Sequence, residues 1–185
     1  ALYRAADDGK LETAQHAKYR RILHCLKAGA GERVLEIGCG WGGFAEMAVE
    51  DGLQVTGLTL SPAQLAWAQK RVPAADLRLQ DYRDTNEQFD HVVSIEMFEA
   101  VGERWWPTYF KTIAKALKPG GRAVIQSITI RDDLFADYRK GTDFIQQYVF
   151  PGGMLPSRTA FRAAAAKQGL VVRSEYAFGE DYART

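Results

Sequence analysis

Two cysteines in 185 residues, Cys25 and Cys39, are too few for a disulfide framework, and a reducing compartment such as the cytoplasm fits that scarcity. Charge of one sign is also scarce. The chain has 24 Lys and Arg against 23 Asp and Glu, and the formal net charge of +1 gives no basis for a nucleic-acid partner. No apolar run approaches the length of a bilayer span and no signal peptide is recognisable, so any membrane contact is expected to be peripheral. The three histidines, His16, His24 and His91, lack ligand-like spacing, and no metal centre is expected. Repeats, low-complexity segments and interdomain linkers are absent too, which leaves one domain over 1–185 with room for a sizeable core.

What is there is organised around Val34-Leu35-Glu36-Ile37-Gly38-Cys39-Gly40-Trp41-Gly42-Gly43. Arg33 to Ile37 reads as a short buried strand, apolar apart from Glu36, and Phe44 to Glu50 takes up helical spacing. A strand, glycine turn and helix in that order let backbone approach a ligand and aim the free N–H groups of the helix start at it. The spacing Gly38-x-Gly40-x-x-Gly43 matches a dinucleotide fingerprint, but two details turn the reading away from NAD. Glu36 sits two residues before the first glycine, where it can accept from an ammonium or hydroxyl. The next strand ends in Thr59, where a dinucleotide fold wants a ribose-binding Asp or Glu. Glu-x-Gly-x-Gly at this place resembles the first motif of S-adenosylmethionine-dependent methyltransferases.

Along the chain, residues 11–28 read as an amphipathic helix with Ala14, Ala17, Ile22, Leu23 and Leu26 inward and Lys18, Arg20, Arg21 and Lys27 outward. Gln54–Leu60 is the second strand. Ser61-Pro62-Ala63-Gln64 starts a helix with a Ser cap, Pro at the first position and Gln completing a capping box. Strands are expected at 77–80, 89–95, 122–130 and 170–176, and helices at 109–117 and 158–168. Lys118-Pro119-Gly120-Gly121 reads as a helix stop and turn. The alternation predicts an α/β fold with a doubly wound, mostly parallel sheet and helices on both faces. Residues 132–156 exceed a minimal crossover and are rich in Phe and Tyr.

With that order laid out, the chain resembles the cyclopropane fatty acid synthase family of S-adenosylmethionine-dependent lipid methyltransferases, with their Rossmann-like fold. The resemblance rests on Leu11-Glu12-Thr13-Ala14-Gln15, the glycine turn with Trp41, Thr59-Leu60-Ser61-Pro62-Ala63-Gln64 and Gln80-Asp81-Tyr82-Arg83-Asp84. It continues in Phe98-Glu99-Ala100-Val101-Gly102, in residues 148–157 around Phe150-Pro151-Gly152-Gly153-Met154-Leu155-Pro156, and in Phe178-Gly179-Glu180-Asp181-Tyr182. The resemblance implies methyl transfer from S-adenosylmethionine to the double bond of an unsaturated acyl chain in a membrane phospholipid, followed by proton loss. The product is a cyclopropane, or in related members a methyl- or methylene-branched chain. An alkene is a weak, uncharged nucleophile, so the site must supply alignment, exclusion of water, a stabiliser for a carbocation and a base. A cytoplasmic protein peripheral to the inner membrane face, compatible with a homodimer, is implied.

By position, the resemblance puts Gly38 and Gly40 at the amino-acid end of the cofactor with Glu36 in support. Thr59, Leu60 and Gln64 lie along ribose and adenine, and Asp81 and Tyr82 flank the adenine. In the family a bicarbonate ion serves as the base, held by a Cys, a Glu, a His and a Tyr. Glu99 matches the Glu and Tyr182 the Tyr, whereas the His position is Gln126 and the Cys is expected in a segment before Ala1. The family's last strand is likewise expected past Thr185. Glu96 stands where cyclopropane synthases usually have Gly, three residues before Glu99. Two close carboxylates tend to raise one pKa, as a base needs, and Glu96 with Glu99 and Gln126 is read as replacing bicarbonate in part or whole. Its structural alternative is a cap or an ion pair with an Arg such as Arg104. Trp105, Trp106, Tyr109 and Phe110, and Phe135, Tyr138, Phe144, Tyr148 and Phe150, serve either as core or as acyl-tunnel lining. Cys39 reads as a packed turn residue. A small-molecule methyltransferase and a non-catalytic lipid- or S-adenosylmethionine-binding module remain alternatives on the same scaffold, and a NAD-linked oxidoreductase is a more distant one.

Overall fold

The run Val34-Leu35-Glu36-Ile37 is buried at all four positions and forms β1 (Arg33–Ile37), the middle strand of a sheet. The computed structural model describes residues 1–3, 9–141, 152–182 and 184. Over these residues β2 (Gln54–Thr59), β3 (Asp76–Leu79), β4 (Phe89–Ile95) and β5 (Leu117–Gln126) join β1 in one all-parallel sheet of order β3-β2-β1-β4-β5. The chain winds outward from β1 to β3, crosses back, and winds outward again through β4 and β5. The reversal between β1 and β4 is a topological switch point, where loops diverge at the carboxyl ends of the strands and leave a crevice.

Both faces are covered. Helices α1 (Leu11–Leu26), α2 (Gly43–Glu50) and α3 (Pro62–Arg71) lie on one face, packing Leu26, Phe44, Met47 and Ala68 against Val34, Val55, Leu77 and Val93. On the other, α4 (Trp106–Ala116) and α6 (Arg158–Ala166) bring Phe110, Ile113 and Ala165 against Leu35, Ile37, Leu58 and Val92. Phe98 sits inside this second cluster with Trp106, Tyr109, Phe110 and Phe161 at ring separations of 4.9–5.3 Å. Truncating so enclosed an aromatic ring to Ala costs about 3–5 kcal/mol. Two short helices, α5 (Asp132–Tyr138) and α7 (Gly179–Tyr182), complete the described elements.

Several expectations are corrected. Helix α1 stops at Leu26, because Lys27 itself takes the left-handed conformation at φ 54°. Lys18 points inward and is only 6% exposed; it lies four residues from both Ala14 and Ile22, on the buried stripe. Residues 118–121 form an irregularity inside β5 instead of a turn before it: Phe89 pairs with Leu117, His91 already with Arg122. Residues 170–176 form no strand, since no described strand lies beside them to supply a ladder, and Val171 is 70% exposed. Residues 142–151 of the expected insertion, with Phe144, Tyr148 and Phe150, lie outside the described residues.

Candidate active site

The glycine turn leaves β1 and is pinned to β2 by two bonds, since the amides of Gly38 and Cys39 both donate to the Leu58 carbonyl at 2.9 and 2.8 Å. Gly38 and Gly40 take φ of 83° and 52°. A Cβ built on Gly38 would touch Met97 Cγ at 3.2 Å, whereas one on Gly40 would meet nothing within 4 Å. The turn therefore opens at Gly40. Cys39 is buried, and burial with the nearby Glu36 pushes its thiol up to about 12, so it packs and does not react. Glu36 is 2% exposed, and no donor among the described residues reaches its Oε2. Burial holds its carboxyl well above the usual range, with the Lys18 ammonium working against that shift.

At the end of β2 the buried Thr59 hydroxyl donates to Gln64 Oε1 at 3.0 Å and accepts from the Ser61 amide at 3.1 Å. Ser61 Oγ caps α3 by accepting from the Gln64 amide, but the Gln64 side chain turns to Thr59 and does not close the expected capping box. Leu60 presents 69% of its surface. After β3, Asp81 caps the short turn Tyr82–Asp84, and Arg83 engages both its oxygens, which holds the carboxyl below its ordinary value. Tyr82 is half-buried with its ring edge-on to Tyr109 at 5.8 Å.

After β4, Glu96 adopts φ 53°, a conformation that glycine takes freely and other residues resist. Its amide donates to the Gln126 carbonyl at 3.0 Å, and Gln126 Nε2 donates to its carboxylate. The Arg104 ion pair considered above does not form; that guanidinium lies 4.8 Å from the Trp105 ring. Glu99 lies in the single turn Phe98–Ala100, 7% exposed, with Oε1 accepting from the Ile128 amide and no donor at Oε2 among the described residues. Burial raises its carboxyl, the Ile128 amide and the nearby Ser127 hydroxyl hold that rise back, and Glu96 adds the smallest push upward. Glu96, Glu99 and Gln126 thus converge at the ends of β4 and β5. Tyr182 closes α7, and its side chain falls outside the described residues.

Of the aromatic groups, Trp106, Tyr109 and Phe110 are core, while Trp105 is 40% exposed. Trp41 and Trp67 form an exposed edge-on pair at 6.2 Å. Two open surface hollows, one around Arg20, His24 and Asp51 and one around Arg162, Arg173 and Glu175, contain none of the site residues. Lys18 is what sequence reasoning missed. Its spacing from Ala14 and Ile22 was the available signal.

A Rossmann-like, all-parallel fold with its crevice at the switch point matches the fold of S-adenosylmethionine-dependent methyltransferases. The structure of the cyclopropane synthase MmaA2 from Mycobacterium tuberculosis superposes with a TM-score of 0.86 at 30% identity, covering 97% of this chain and 69% of that one. Mycolic acid cyclopropane synthase CmaA1 complexed with SAH and CTAB gives 0.78 at 30% identity, covering 94% and 66%. The chain belongs to the mycolic acid cyclopropane synthetase family, whose model matches residues 1–185. Cyclopropane-fatty-acyl-phospholipid synthase of Escherichia coli K12 is 41% identical over 189 residues, which is 100% of this chain and 47% of that protein. Tuberculostearic acid methyltransferase UfaA1 of Mycobacterium tuberculosis is 42% identical over 157 residues, 82% of this chain and 37% of that protein. The chain spans about half the length of the curated relatives it matches.

Proposed function

We propose that this chain is an S-adenosylmethionine-dependent methyltransferase acting on the double bond of unsaturated acyl chains in phospholipids, with a cyclopropane or a methyl- or methylene-branched chain as product. The observation that carries the reading is the meeting of two parts at one switch point, in a chain of this family. One is a glycine turn open at Gly40; the other is the group Glu96, Glu99 and Gln126. The residues present fit the cofactor. Glu36 Oε2 is a buried acceptor without a donor, and Leu60 and Tyr82 offer apolar and aromatic surface beside Thr59 and Gln64.

Bound, S-adenosylmethionine supplies an electrophilic methyl group on a sulfonium. In this reading Gly38 and Gly40 let backbone approach its amino-acid end, and Glu36 accepts from its ammonium. Thr59, Leu60 and Gln64 would hold its ribose and adenine, with Tyr82 offering an aromatic face to the ring. Asp81 accepts from the exocyclic amine through a lone pair that Arg83 leaves free. On the substrate side, Gln126 orients the Glu96 carboxylate, which takes the proton lost after methyl transfer and stands in part or whole for bicarbonate. Glu99, anchored by the Ile128 amide, keeps Oε2 for the reacting centre, and Tyr182 belongs to the same group. Membrane contact is peripheral in this reading, at the cytoplasmic face. No helix among the described residues is long and apolar enough to cross a membrane, and the Trp41–Trp67 pair suits an interfacial contact.

Lipid mass spectrometry of a host expressing the chain tests the reading: monounsaturated acyl chains should gain the mass of one methylene unit. No gain, with S-adenosylmethionine binding retained by calorimetry, overturns it in favour of a non-catalytic binding module. The role of Glu96 is tested separately. Glu96→Gln should lower turnover by about 10²–10⁴ with cofactor affinity kept. Activity of the unmutated protein should survive removal of bicarbonate; strict dependence on bicarbonate returns Glu96 to a structural role.

A further inference from the structure

Lys18 and Glu36 are ionisable groups of opposite type, both nearly sealed from solvent, at 6% and 2% exposure. They act on each other through space, yet no hydrogen bond joins them. Burying two ionisable groups without direct contact is costly, and burial favours their neutral forms, unless something else completes each of them. Glu36 faces the side of the sheet that α1 covers, because it alternates with Leu35 and Ile37, which pack on the opposite face. Helix α1 is held over the glycine turn: the Tyr19 hydroxyl lies 3.0 Å from where a Cβ of Gly43 would sit, and the Lys18 ammonium lies 4.9 Å from the Tyr19 ring centroid. One turn before Lys18 on the same helix face, Gln15 Oε1 is a second buried acceptor without a donor among the described residues. Two unfilled acceptors and a buried amine, shared between β1 and the helix held over the glycine turn, are the complement of an α-ammonium and an α-carboxylate carried by a single ligand.

We infer that Lys18 binds the α-carboxylate of the methionyl group of S-adenosylmethionine, opposite Glu36 and Gln15 Oε1, which accept from its α-ammonium. The inference rests on the proposed function for the identity of the cofactor. It assigns to α1 the discrimination between the full cofactor and adenosyl compounds that lack the amino-acid carboxylate. The zwitterion pairs head to tail with the two side chains, so each gains a contact at hydrogen-bond distance that stabilises its charged form. Lys18 also feels the charge of Glu96, which favours its ammonium form.

Calorimetric titration of the chain with S-adenosylmethionine and with decarboxylated S-adenosylmethionine tests this. The second compound keeps adenosine, sulfonium and amine and lacks only the carboxylate. The unmutated chain should bind the full cofactor roughly 30-fold or more tighter than the decarboxylated one, the range expected for one contact between charged groups. In Lys18→Met, with its thermal midpoint monitored, that ratio should collapse to within about 3-fold, the loss falling on the full cofactor alone. Equal weakening of both ligands in Lys18→Met overturns the assignment in favour of a packing role. So does an unmutated chain that binds both ligands equally, a result that needs no variant to fold. Failure of the unmutated chain to bind either ligand removes the proposed function itself, and is distinguishable because no ratio exists to compare.

Discussion

The loops after β1 and after β4 both turn sharply at the carboxyl edge of the sheet, with opposite materials. After β1 the positive φ values fall on Gly38, Gly40 and Gly42, where they cost little. After β4 the positive φ falls on Glu96, at a cost on the order of 1–2 kcal/mol. The neighbourhoods differ in the same sense. β1 and β2 are buried along nearly their whole length, whereas β5, which carries Gln126, has no fully buried position. One loop leaves its backbone open at Gly40. The other accepts strain to hold one particular carboxylate, and strain of that kind gathers where a side chain is needed for chemistry.

The largest effect that sharpens this contrast is expected at Gly40. Gly40→Val places a branched side chain where no protein atom stands within 4 Å, so cofactor affinity should fall at least ~100-fold while the fold loses only the left-handed penalty. Calorimetry beside urea denaturation separates the two, and retained affinity would break the assignment of that loop to the cofactor. A smaller effect compares the loops in stability alone. Gly38→Ala should lose about 1–2 kcal/mol, because its Cβ meets Met97 at 3.2 Å in a left-handed position. Glu96→Gly should hold or gain up to about 1 kcal/mol, since it relieves the same conformation. A loss above that size in Glu96→Gly would make Glu96 structural and dissolve the contrast.

The smallest effect is a slope. Glu36 has its carboxyl raised by burial above the ordinary value of 4.5. Above that pH the unfolded chain has released the proton while the folded one keeps it. The stability of the ligand-free protein relative to Glu36→Gln is therefore full below that value. It is lost as pH rises through the folded-state value, at no more than about 1.4 kcal/mol per pH unit. Denaturation of both proteins between about pH 5 and pH 7 reads it, and parallel curves would mean that Glu36 is ionised throughout.

The elements that pattern predicts well are those whose neighbours are strands or helices of the same unit. Phe89–Ile95 has the bounds expected of it because seven largely apolar residues between turn signals leave little choice. Residues 170–176 show a similar apolar content, yet a strand exists only by pairing, and pairing is absent from local pattern. Lys18 fails for a related reason. Its residue type says outward; its position on the stripe and the carboxylates waiting at the strand ends bring it in. The glycine turn, Thr59, Gln64, Glu96 and Gln126 could be named from motif and position. That Gln64 bonds Thr59, or that Gln126 holds Glu96, depends on distances across the sheet that one strand's sequence does not carry.

Cys39 and Gly57 carry a consequence for how relatives of this chain diverge. A Cβ on Gly57 would sit 2.5 Å from Leu77 Cδ2 and 3.0 Å from Cys39 Cβ, so the glycine turn rests on the bare backbone of the neighbouring strand. The two positions share one volume across β1 and β2, where Glu36 pairs with Gly57. A lineage that acquires a side chain at 57 must make room at 39 and 77 or lift the turn, and a lifted turn displaces Gly40 with it. Substitutions at 39 and 57 should therefore be inherited together: a residue larger than glycine at 57 tolerated only with glycine at 39 and a smaller or shifted side chain at 77. Two otherwise unremarkable small residues are in that sense one hereditary unit, and drift at either is limited by the other.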